Sequence, residues 1–336
     1  MAENVCFLDC MKYAKDCLGI EFELKDKQIE TLRSVYEGND TLAVLPTGFG
    51  KSIIFQLLPF MFQRKFGRRQ PMITIIVTPL NSIMQDQVQS LTKRGIPACF
   101  LNIEGTGVKT FVDGKRYQKS FQDEDSDTDI EEVVISSAPL QDVKKGNFCL
   151  IYAHPETLVD KKDFGKVLRS TVFQERVCAI VVDEVHMISE WGKEFRNSFD
   201  KLGNLTCLFP DVPHLALTAT ATKSDIARLS EVLQYRDTQF VIANPDRPNI
   251  YLEIRSRLPN IRKFEKFDNI LAEIVSELSD KLDRYPVTIA YCNNLEAIGY
   301  AYVYTEQKLG PRAYIPQEGV PENRIFGSFT SVPQPP

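Results

Sequence analysis

Residues 41–52 read TLAVLPTGFGKS, and this segment is the strongest indication of architecture in the chain. It joins an apolar run typical of a buried strand to a stretch with helical spacing. The loop between them can present backbone N–H groups and a helix N-terminus to phosphate oxygens, with Gly48 and Gly50 allowing close approach. Lys51 can then reach the β- and γ-phosphates, and the Ser52 hydroxyl can bind Mg²⁺. The strict pattern GxxxxGK[ST] would place glycine at position 45, where this chain has leucine, so the match is to the shorter TGxGKS form.

Other short apolar runs alternate with helical patterns along the first 240 residues. These runs are apolar throughout rather than alternating, as expected for strands buried on both faces. The further predicted strands are residues 72–78, 148–153, 177–183 and 214–218, and the predicted helices are residues 52–64, 80–94 and 224–233. A succession of βαβ units predicts an α/β fold with a mostly parallel sheet covered by helices.

Composition excludes several classes of protein. With 336 residues, 43% hydrophobic and 25% charged, the chain is too large for one small disulfide-stapled module and has the composition of a globular protein. No apolar stretch reaches the ~18 residues of a membrane span, and we expect no membrane association. The eight cysteines include no CxxC pair, so we expect reduced thiols and no zinc site.

The net charge of -5 argues at first against a nucleic-acid partner. Residues 123–132, however, read DEDSDTDIEE and hold seven acidic residues and no basic one. Without them the formal charge becomes +2, so a locally basic groove is compatible with the composition. We interpret this run as part of an insertion spanning about residues 108–140, a solvated loop of no specific function being the simplest alternative.

A domain boundary is predicted at residues 244–249, NPDRPN, where two prolines interrupt regular structure. The first domain would then span residues 1–243, and residues 244–336 would form a linker and a partial second domain. For that second part we predict strands at residues 249–254 and 287–292, and helices at residues 264–282 and 295–309.

A pair of carboxylates ends the predicted strand at residues 177–183. Beside a phosphate-binding loop, Asp183 can hold hydrated Mg²⁺ while Glu184 orients and polarises the attacking water. We predict that Lys51, Asp183, Glu184 and His186 are the catalytic residues, with Ser52 and Asp183 as metal ligands. For His186, a coupling role competes with that of an ordinary core histidine.

Two threonines follow the predicted strand at residues 214–218, in the segment LTATAT. The hydroxyls of Thr218 and Thr220 can hydrogen-bond the DEVH segment and report the state of the γ-phosphate. Capping of the next helix is the alternative interpretation of these threonines.

Together the segments PTGFGKS, TPLNSIMQDQV, DEVHMISEWGKEFR, LALTATAT and NPDRPNI resemble RecQ-type DNA helicases of helicase superfamily two. The resemblance covers about residues 22–291, with the motifs in family order, and is most specific in ISEWGKEFR. It implies a complete RecA-like domain followed by an incomplete second one, with ATP and Mg²⁺ as cofactors.

The resemblance also assigns roles to individual residues. It implies that ATP is held by residues before and within the loop: Lys25, Gln28, Thr47, Gly48, Phe49, Gly50, Lys51 and Ser52. It implies that Trp191, Phe195 and Arg196, with Thr218 and Thr220, couple DNA binding to hydrolysis. Aromatic faces stack on unpaired bases of any sequence, and an adjacent arginine adds charge. Plain packing is the alternative role for Trp191, the single tryptophan.

Departures from the family pattern limit what the chain can do alone. The sensor and arginine-finger motifs of a second RecA-like domain do not occur, and an arginine finger contributes ~10³ to 10⁵ in phosphoryl-transfer rate. We therefore expect weak ATP hydrolysis by this polypeptide, which we interpret as a fragment of a longer helicase.

Three functions remain open at this point. The first is an ATP-dependent 3′-to-5′ DNA helicase of RecQ type acting on single-stranded or forked DNA in recombination and repair, with repair proteins as partners. A catalytically weak ATP-binding module for DNA or protein is the second, and an RNA helicase, disfavoured by ISEWGKEFR, is the third. We expect location in the nucleus, with the cytoplasm as a second compartment. A basic cluster at residues 63–70, QRKFGRRQ, is interpreted as a solvated helix end.

Overall fold

The computed structural model describes residues 6–103, 111–112, 115–116, 134–136, 138–159, 162–187, 202–246, 248–254, 267–316 and 323–328. The chain divides into two compact units, Met1–Asp246 and Arg247–Pro336. The boundary predicted from the two prolines falls in the same region, although the identity of the second unit as a RecA-like domain stays a prediction.

Unit 1 is built on one mixed sheet. Its strands are β1 (Thr41–Val44), β2 (Ile73–Val77), β3 (Ala98–Ile103), β4 (Phe111–Val112), β5 (Lys115–Arg116), β6 (Val134–Ser136), β7 (Leu150–Ala153), β8 (Val177–Val182), β9 (His214–Thr218) and β10 (Gln239–Ile242). They are arranged in the order β10-β1-β9-β8-β2-β7-β3-β6-β4-β5. The seven strands from β10 to β3 are all parallel, and the short strands β6, β4 and β5 extend the sheet antiparallel beyond β3.

Helices alternate with these strands along the chain. In unit 1 they are α1 (Phe7–Leu18), α2 (Asp26–Tyr36), α3 (Lys51–Lys65), α4 (Asn81–Lys93), α5 (Leu140–Lys144), α6 (Pro155–Val159), α7 (Lys162–Leu168), α8 (Thr171–Arg176), α9 (Gly203–Leu208) and α10 (Lys223–Val232). Two more, α11 (Asp268–Lys281) and α12 (Leu295–Leu309), belong to unit 2. No helix in these described stretches is both long enough and apolar enough to cross a membrane.

The sheet is buried on both faces, as its apolar strands predict. Alternate side chains of β1 show this: Ala43 packs into a core with α1 to α4, whereas Leu42 and Val44 pack into a second core with α6 to α10. Every residue of β1, β2, β7, β8 and β9 is buried. The α/β fold with a mostly parallel sheet is thus confirmed, including all five strands predicted in unit 1.

Asp40 fixes the start of three neighbouring strands. Its buried carboxylate accepts hydrogen bonds from N–H of His214 through Oδ1 (2.9 Å) and from N–H of Arg236 through Oδ2 (2.8 Å). Its backbone oxygen also accepts from N–H of Gln239 at 2.8 Å. One residue before β1 therefore aligns the beginnings of β9 and β10, through its side chain and its backbone oxygen.

Unit 2 agrees with the sequence in its helices and differs in its strands. Helix α12 has the predicted bounds, and α11 falls within the predicted helix. Neither predicted strand forms: residues 250–254 and 287–291 pair with no strand among the residues described for this unit. Ile254 and Val287 are almost fully exposed. The strand prediction was therefore wrong here, because β-branched sequence alone forms no ladder without a neighbouring edge to bond.

Candidate nucleotide site

The predicted site residues of unit 1 meet at one edge of the sheet. Strands β1, β9 and β8 are neighbours: the loop after β1 leads to Lys51 at the start of α3, Thr218 ends β9, and Asp183 follows β8. In open parallel sheets, ligands bind outside this edge. The chain order separates these residues widely, and the sheet order brings them together.

The loop between β1 and α3 has the backbone that its glycines predict. Gly48 and Gly50 have φ of 76° and 85°, in the left-handed region that glycine adopts without a side-chain penalty. Gly50 directly precedes α3, so Lys51 and Ser52 occupy the first turn of that helix. Its free N–H groups then face the edge where an anion would bind.

The side chain of Gln28, in the first turn of α2, supports this loop through hydrogen bonds. Its Nε2 donates to the backbone oxygens of Phe49 (3.0 Å) and Gly50 (3.1 Å), and its Oε1 accepts from N–H of Lys25 (2.8 Å). A Cβ at position 50 would lie 2.8 Å from Nε2 of Gln28. The glutamine thus braces the phosphate-binding loop in this structure, a role that the sequence did not predict.

Lys25 contacts the same loop through its side chain. Nζ lies 4.4 Å from the centroid of the Phe49 ring, within the range of a cation–π contact. Lys25 and Gln28, predicted as nucleotide-binding residues, therefore both lie against the loop of residues 47–50.

The charged centre of the site consists of Lys51, Asp183 and Glu184. Nζ of Lys51 lies 3.8 Å from Oε1 of Glu184, and both side chains are mostly buried. The Asp183 carboxylate accepts N–H of Glu184 at 3.0 Å. Burial, with a further contribution from the charge of Glu184, raises the pKa of Asp183 to about 6, against the lowering effects of that N–H and of Lys51. A cation at Asp183 would relieve this cost of burying negative charge.

The backbone at Glu184 is itself unusual. Its φ of 52° lies in the left-handed region, which costs a non-glycine residue of order 1–2 kcal/mol. Hydrogen bonds hold it on both sides, from N–H of Asp183 to O of Val77 (2.8 Å) and from N–H of Val185 to O of Leu217 (3.0 Å). The flanking strands β2 and β9 thus impose the turn that aims the Glu184 carboxylate at Lys51.

His186 connects this centre to β9. Its Nδ1 lies 3.0 Å from Oγ1 of Thr218 and 3.3 Å from Oε2 of Glu184. The Thr218 hydroxyl donates to O of Thr220 (2.9 Å), while N–H of Thr220 donates to Oγ1 of Thr218 (3.2 Å). Hydrogen bonds thus join His186, Thr218 and Thr220, and the 3.3 Å contact of His186 extends this series to Glu184.

The alternative role of the LTATAT threonines belongs to a different member of the segment. Oγ1 of Thr222 accepts N–H of Asp225 and caps α10. Thr218 therefore contacts the histidine of the DEVH segment, Thr220 contacts Thr218, and Thr222 caps the helix.

The residues present fit a nucleotide with Mg²⁺. Ser52 and Asp183 would hold the ion, and Lys51 with the loop N–H groups would hold the phosphates. Oε2 of Glu184 is a buried acceptor without a hydrogen bond in the described structure, as a residue that takes a proton from water requires. The described residues contain no cluster of three or more His, Cys, Asp or Glu side chains that would bind a metal. Mg²⁺ usually keeps several waters and binds substrate phosphates, which would supply its other ligands.

Three predicted residues, Trp191, Phe195 and Arg196, lie outside the described residues, and so does the acidic run. Sequence reasoning missed a second polar group at the same edge. His154 follows β7, and its Nε2 lies 2.8 Å from Oδ1 of Asn81 at the start of α4. Its Nδ1 lies 3.4 Å from Oε2 of Glu156. No residue spacing pointed to this trio, because it is assembled from two separate strand ends.

Comparison with known proteins agrees with this architecture. The DEAD/DEAH box helicase family pattern matches residues 25–229. The bifunctional 3'-5' exonuclease/ATP-dependent helicase WRN of Mus musculus is 32% identical over 281 residues, which are 82% of this chain and 17% of that protein. ATP-dependent DNA helicase RecQ of Haemophilus influenzae is 32% identical over 243 residues, 71% of this chain and 32% of that protein.

A solved structure shows the same fold. The DEAD-box helicase Mss116 bound to ssRNA and UDP-BeF superimposes with a TM-score of 0.60 at 14% identity, covering 93% of this chain and 60% of that one. The chain thus spans about a sixth to a third of the length of the curated relatives named above. The matched residues contain the loop at Lys51, the Asp183–Glu184 pair and the Thr218 segment. The chain therefore belongs to the DEAD/DEAH box helicase family, and its resemblance to RecQ-type DNA helicases, predicted from the motifs, is confirmed.

Proposed function

We propose that this chain binds and hydrolyses ATP with Mg²⁺ in a DNA-dependent manner, as the ATP-binding part of a RecQ-type 3′-to-5′ DNA helicase. The observation that carries the proposal is the meeting of Lys51 and Glu184 at 3.8 Å beside the buried Asp183. A phosphate-binding cation, a metal-binding carboxylate and a proton acceptor are the three groups that phosphoryl transfer to water needs from the protein.

The ion pair has a consequence for the order of events. Phosphate oxygens would draw Lys51 away from Glu184, since the ammonium binds the more highly charged partner. Glu184 would then be released to orient the attacking water and accept its proton. Bound Mg²⁺ would neutralise charge on the phosphates. Nucleotide binding therefore prepares the carboxylate for the chemical step.

Coupling to DNA is proposed to run through the chain from Glu184 to Thr220. His186 lies between Glu184 and Thr218 and is able to transmit a shift of either one. Trp191, Phe195 and Arg196 follow the same segment in sequence and are proposed to sense the unpaired strand. DNA rather than RNA is proposed because RecQ of Haemophilus influenzae, which is 32% identical, is a DNA helicase by name.

The test is ATP hydrolysis by the purified chain with and without single-stranded DNA, beside a matched RNA oligonucleotide. We expect stimulation by DNA above that by RNA. Lys51→Ala should weaken nucleotide affinity at least about tenfold, as loss of a charge-assisted contact predicts. Lys93→Ala, an exposed lysine in the last turn of α4, is the matched control. Unchanged nucleotide affinity in Lys51→Ala would refute the loop assignment.

Trp191→Ala separates coupling from catalysis. We expect it to lower DNA-stimulated hydrolysis and spare basal turnover, because stacking on a base stabilises only the DNA-bound state. Equal loss of both rates would contradict a coupling role and favour packing.

A catalytically weak ATP-binding module remains the second candidate. The described part of unit 2 contains the two packed helices α11 and α12 and no strand. Under that candidate the chain would bind ATP with an affinity that depends on Lys51. Its ATP hydrolysis in the presence of DNA, however, would be no faster than that of Glu184→Gln, a variant without the proposed proton acceptor. Roles in recombination and repair, and location in the nucleus, are proposals that rest on the RecQ resemblance alone.

A further inference from the structure

Three exposed arginines cluster where α3 ends. Arg64 lies in the last turn of α3, and Arg68 and Arg69 follow it in the loop to β2. None of the three forms an ion pair with a carboxylate in the parts of the chain that the structure describes. Their charges are therefore not neutralised by a direct carboxylate contact among the described residues. We call Arg64, Arg68 and Arg69 the arginine cluster.

The neighbouring lysine does not belong to this cluster. Nζ of Lys65 donates to the backbone oxygen of Tyr36 and lies 4.3 Å from the centroid of the Tyr36 ring. Burial lowers the pKa of Lys65. Its charge is satisfied inside the molecule, so it is the arginines that remain available to a ligand.

An open depression of about 190 Å³ accompanies the cluster. It is lined by Tyr13, Gln63, Arg64, Gly67 and Arg68. The Arg64 guanidinium carbon lies 6.0 Å from the centroid of the Tyr13 ring, so an aromatic face and two guanidinium groups border one space. Proteins that bind single-stranded nucleic acid combine cationic side chains with aromatic rings in this way.

Gln63 adds a polar group to the depression. The side chain is more than nine-tenths buried, and its Nε2 donates to O of Arg69 at 3.3 Å. Its Oε1 is a buried acceptor without a hydrogen-bond partner in the described structure. A buried acceptor that lacks a donor carries a cost, which a ligand with an N–H or O–H group would remove.

The local charge balance is positive beyond the cluster itself. Arg176 lies close enough for the charge of Arg68 to lower its pKa, although burial is the larger cause. The Arg176 guanidinium is fixed by donating to the backbone oxygens of Gly146 (2.7 Å) and Pro71 (2.9 Å). Its charge therefore adds to the attraction for an anion without being compensated by a described carboxylate.

The depression is separate from the nucleotide site. Lys51 begins α3 and Lys65 ends it, and 15 residues of helix span about 21 Å at 1.5 Å per residue. The two sites therefore lie at opposite ends of one buried helix, and a ligand at the arginine cluster would not contact the phosphate-binding loop.

We propose that the arginine cluster and its depression form a second binding surface for the backbone of single-stranded DNA. Arg64 and Arg68 would contact successive phosphates, the Tyr13 ring would stack on a base, and Oε1 of Gln63 would accept a base N–H. This surface goes beyond the proposed ATP-dependent activity, and its binding requires no nucleotide. It would hold a strand on unit 1 whether or not nucleotide is bound.

The experiment measures binding of a fluorescein-labelled single-stranded oligonucleotide, without ATP, as a function of salt. For Arg64→Gln/Arg68→Gln we expect weaker binding, and a slope of log affinity against log salt smaller in magnitude by about 1.4, or about 0.7 for each lost phosphate contact. Tyr13→Leu should weaken binding about tenfold with the slope unchanged, because stacking involves no counterion. Arg169→Gln/Arg228→Gln is the control: both arginines are exposed, Arg169 just after α7 and Arg228 on α10, and both helices pack on the opposite face of the sheet. ATP affinity should be unchanged in every variant, so this result stands or fails apart from the nucleotide site.

Three results would overturn the proposal. One is a salt slope equal to that of the unmodified chain in Arg64→Gln/Arg68→Gln. Another is an equal loss in the control, which would mean that overall charge alone is measured. A third is that the unmodified chain binds polyglutamate, and that Arg64→Gln/Arg68→Gln loses this binding but keeps its affinity for DNA. That result would assign the surface to an acidic protein. Thermal unfolding of each variant confirms that these exposed substitutions leave the fold intact.

Discussion

Nδ1 of His186 lies 3.0 Å from Oγ1 of Thr218, although 32 residues separate the two in sequence. Since the Thr218 hydroxyl donates its own hydrogen to O of Thr220, the hydrogen shared with His186 belongs to Nδ1. The ring is therefore held in one tautomer and one orientation beside Glu184. Strand β9 consequently controls the position of a group that contacts the proposed catalytic carboxylate.

Thr218→Val tests this relationship. Valine has a similar shape but cannot accept from Nδ1, which leaves a half-buried N–H without its partner at a cost of about 1–3 kcal/mol. We expect DNA-stimulated ATP hydrolysis to fall about tenfold, with ATP affinity within about twofold of the unmodified chain. The measurement is steady-state hydrolysis at saturating DNA, together with nucleotide titration.

Thr222→Val is the matched control for that experiment, since Thr222 lies in the same segment and caps α10 instead. It should lower stability by about 1 kcal/mol and leave the stimulated rate per folded molecule unchanged. A similar loss of stimulated hydrolysis in both variants would mean that the Thr218 effect is structural.

Gly50→Ala tests the support of the phosphate-binding loop. The residue has φ of 85°, and an added Cβ would lie 2.8 Å from Nε2 of Gln28. We expect weaker ATP binding, by about tenfold, because strain of about 1–2 kcal/mol and the displacement of Gln28 both distort the loop. Titration with a fluorescent ATP analogue gives the affinity.

The double variant Gln28→Ala/Gly50→Ala distinguishes the two causes. Removing the glutamine side chain relieves the close contact but not the backbone strain. The loss of ATP affinity in the double variant should therefore be smaller than the sum of the losses in Gln28→Ala and Gly50→Ala. Strict additivity of the two losses would show that the contact between positions 28 and 50 carries no energy.

The sequence predicted the strand and the loop of the candidate site better than the contacts that support them. The strand at residues 177–183 and the loop at residues 45–52 were recognisable because apolar runs and glycines act locally. The contact between Gln28 and the loop was not, since it depends on how α2 packs beside α3. Strand β10 also escaped prediction: it lies at the sheet edge, and of its four residues only Val241 is buried, which leaves no continuous apolar run.

Asp40→Ala tests how the sheet edge is held. The substitution removes the acceptors of two backbone N–H groups, those of His214 and Arg236, each worth about 1–3 kcal/mol when left unsatisfied in the interior. We expect unit 1 to lose about 2–5 kcal/mol of unfolding free energy, measured by urea denaturation. Asp211→Ala removes an exposed carboxylate near the same strand and should change stability by less than about 0.5 kcal/mol. Similar losses in the two variants would show that Asp40 acts only through its charge.

His214 predicts a dependence of stability on pH. The side chain is buried, and burial lowers its pKa, against the raising effects of Asp40 and of the Phe209 backbone and with a further lowering by Arg236. As pH falls below about 6.5, the unfolded chain binds a proton at this histidine and the folded chain does not. The unfolding free energy should therefore decrease with falling pH, by up to about 1.4 kcal/mol per pH unit from this group.

His214→Phe tests this dependence. The His214 ring packs edge-on against Tyr235, with 5.7 Å between the ring centroids, and a phenyl ring can replace it there. In this variant the part of the decrease that comes from His214 should vanish. Urea denaturation at pH 7.5, 6.5 and 5.5 compares the two chains, and parallel losses between pH 6.5 and 5.5 would show that His214 is protonated in the folded state as readily as in the unfolded one.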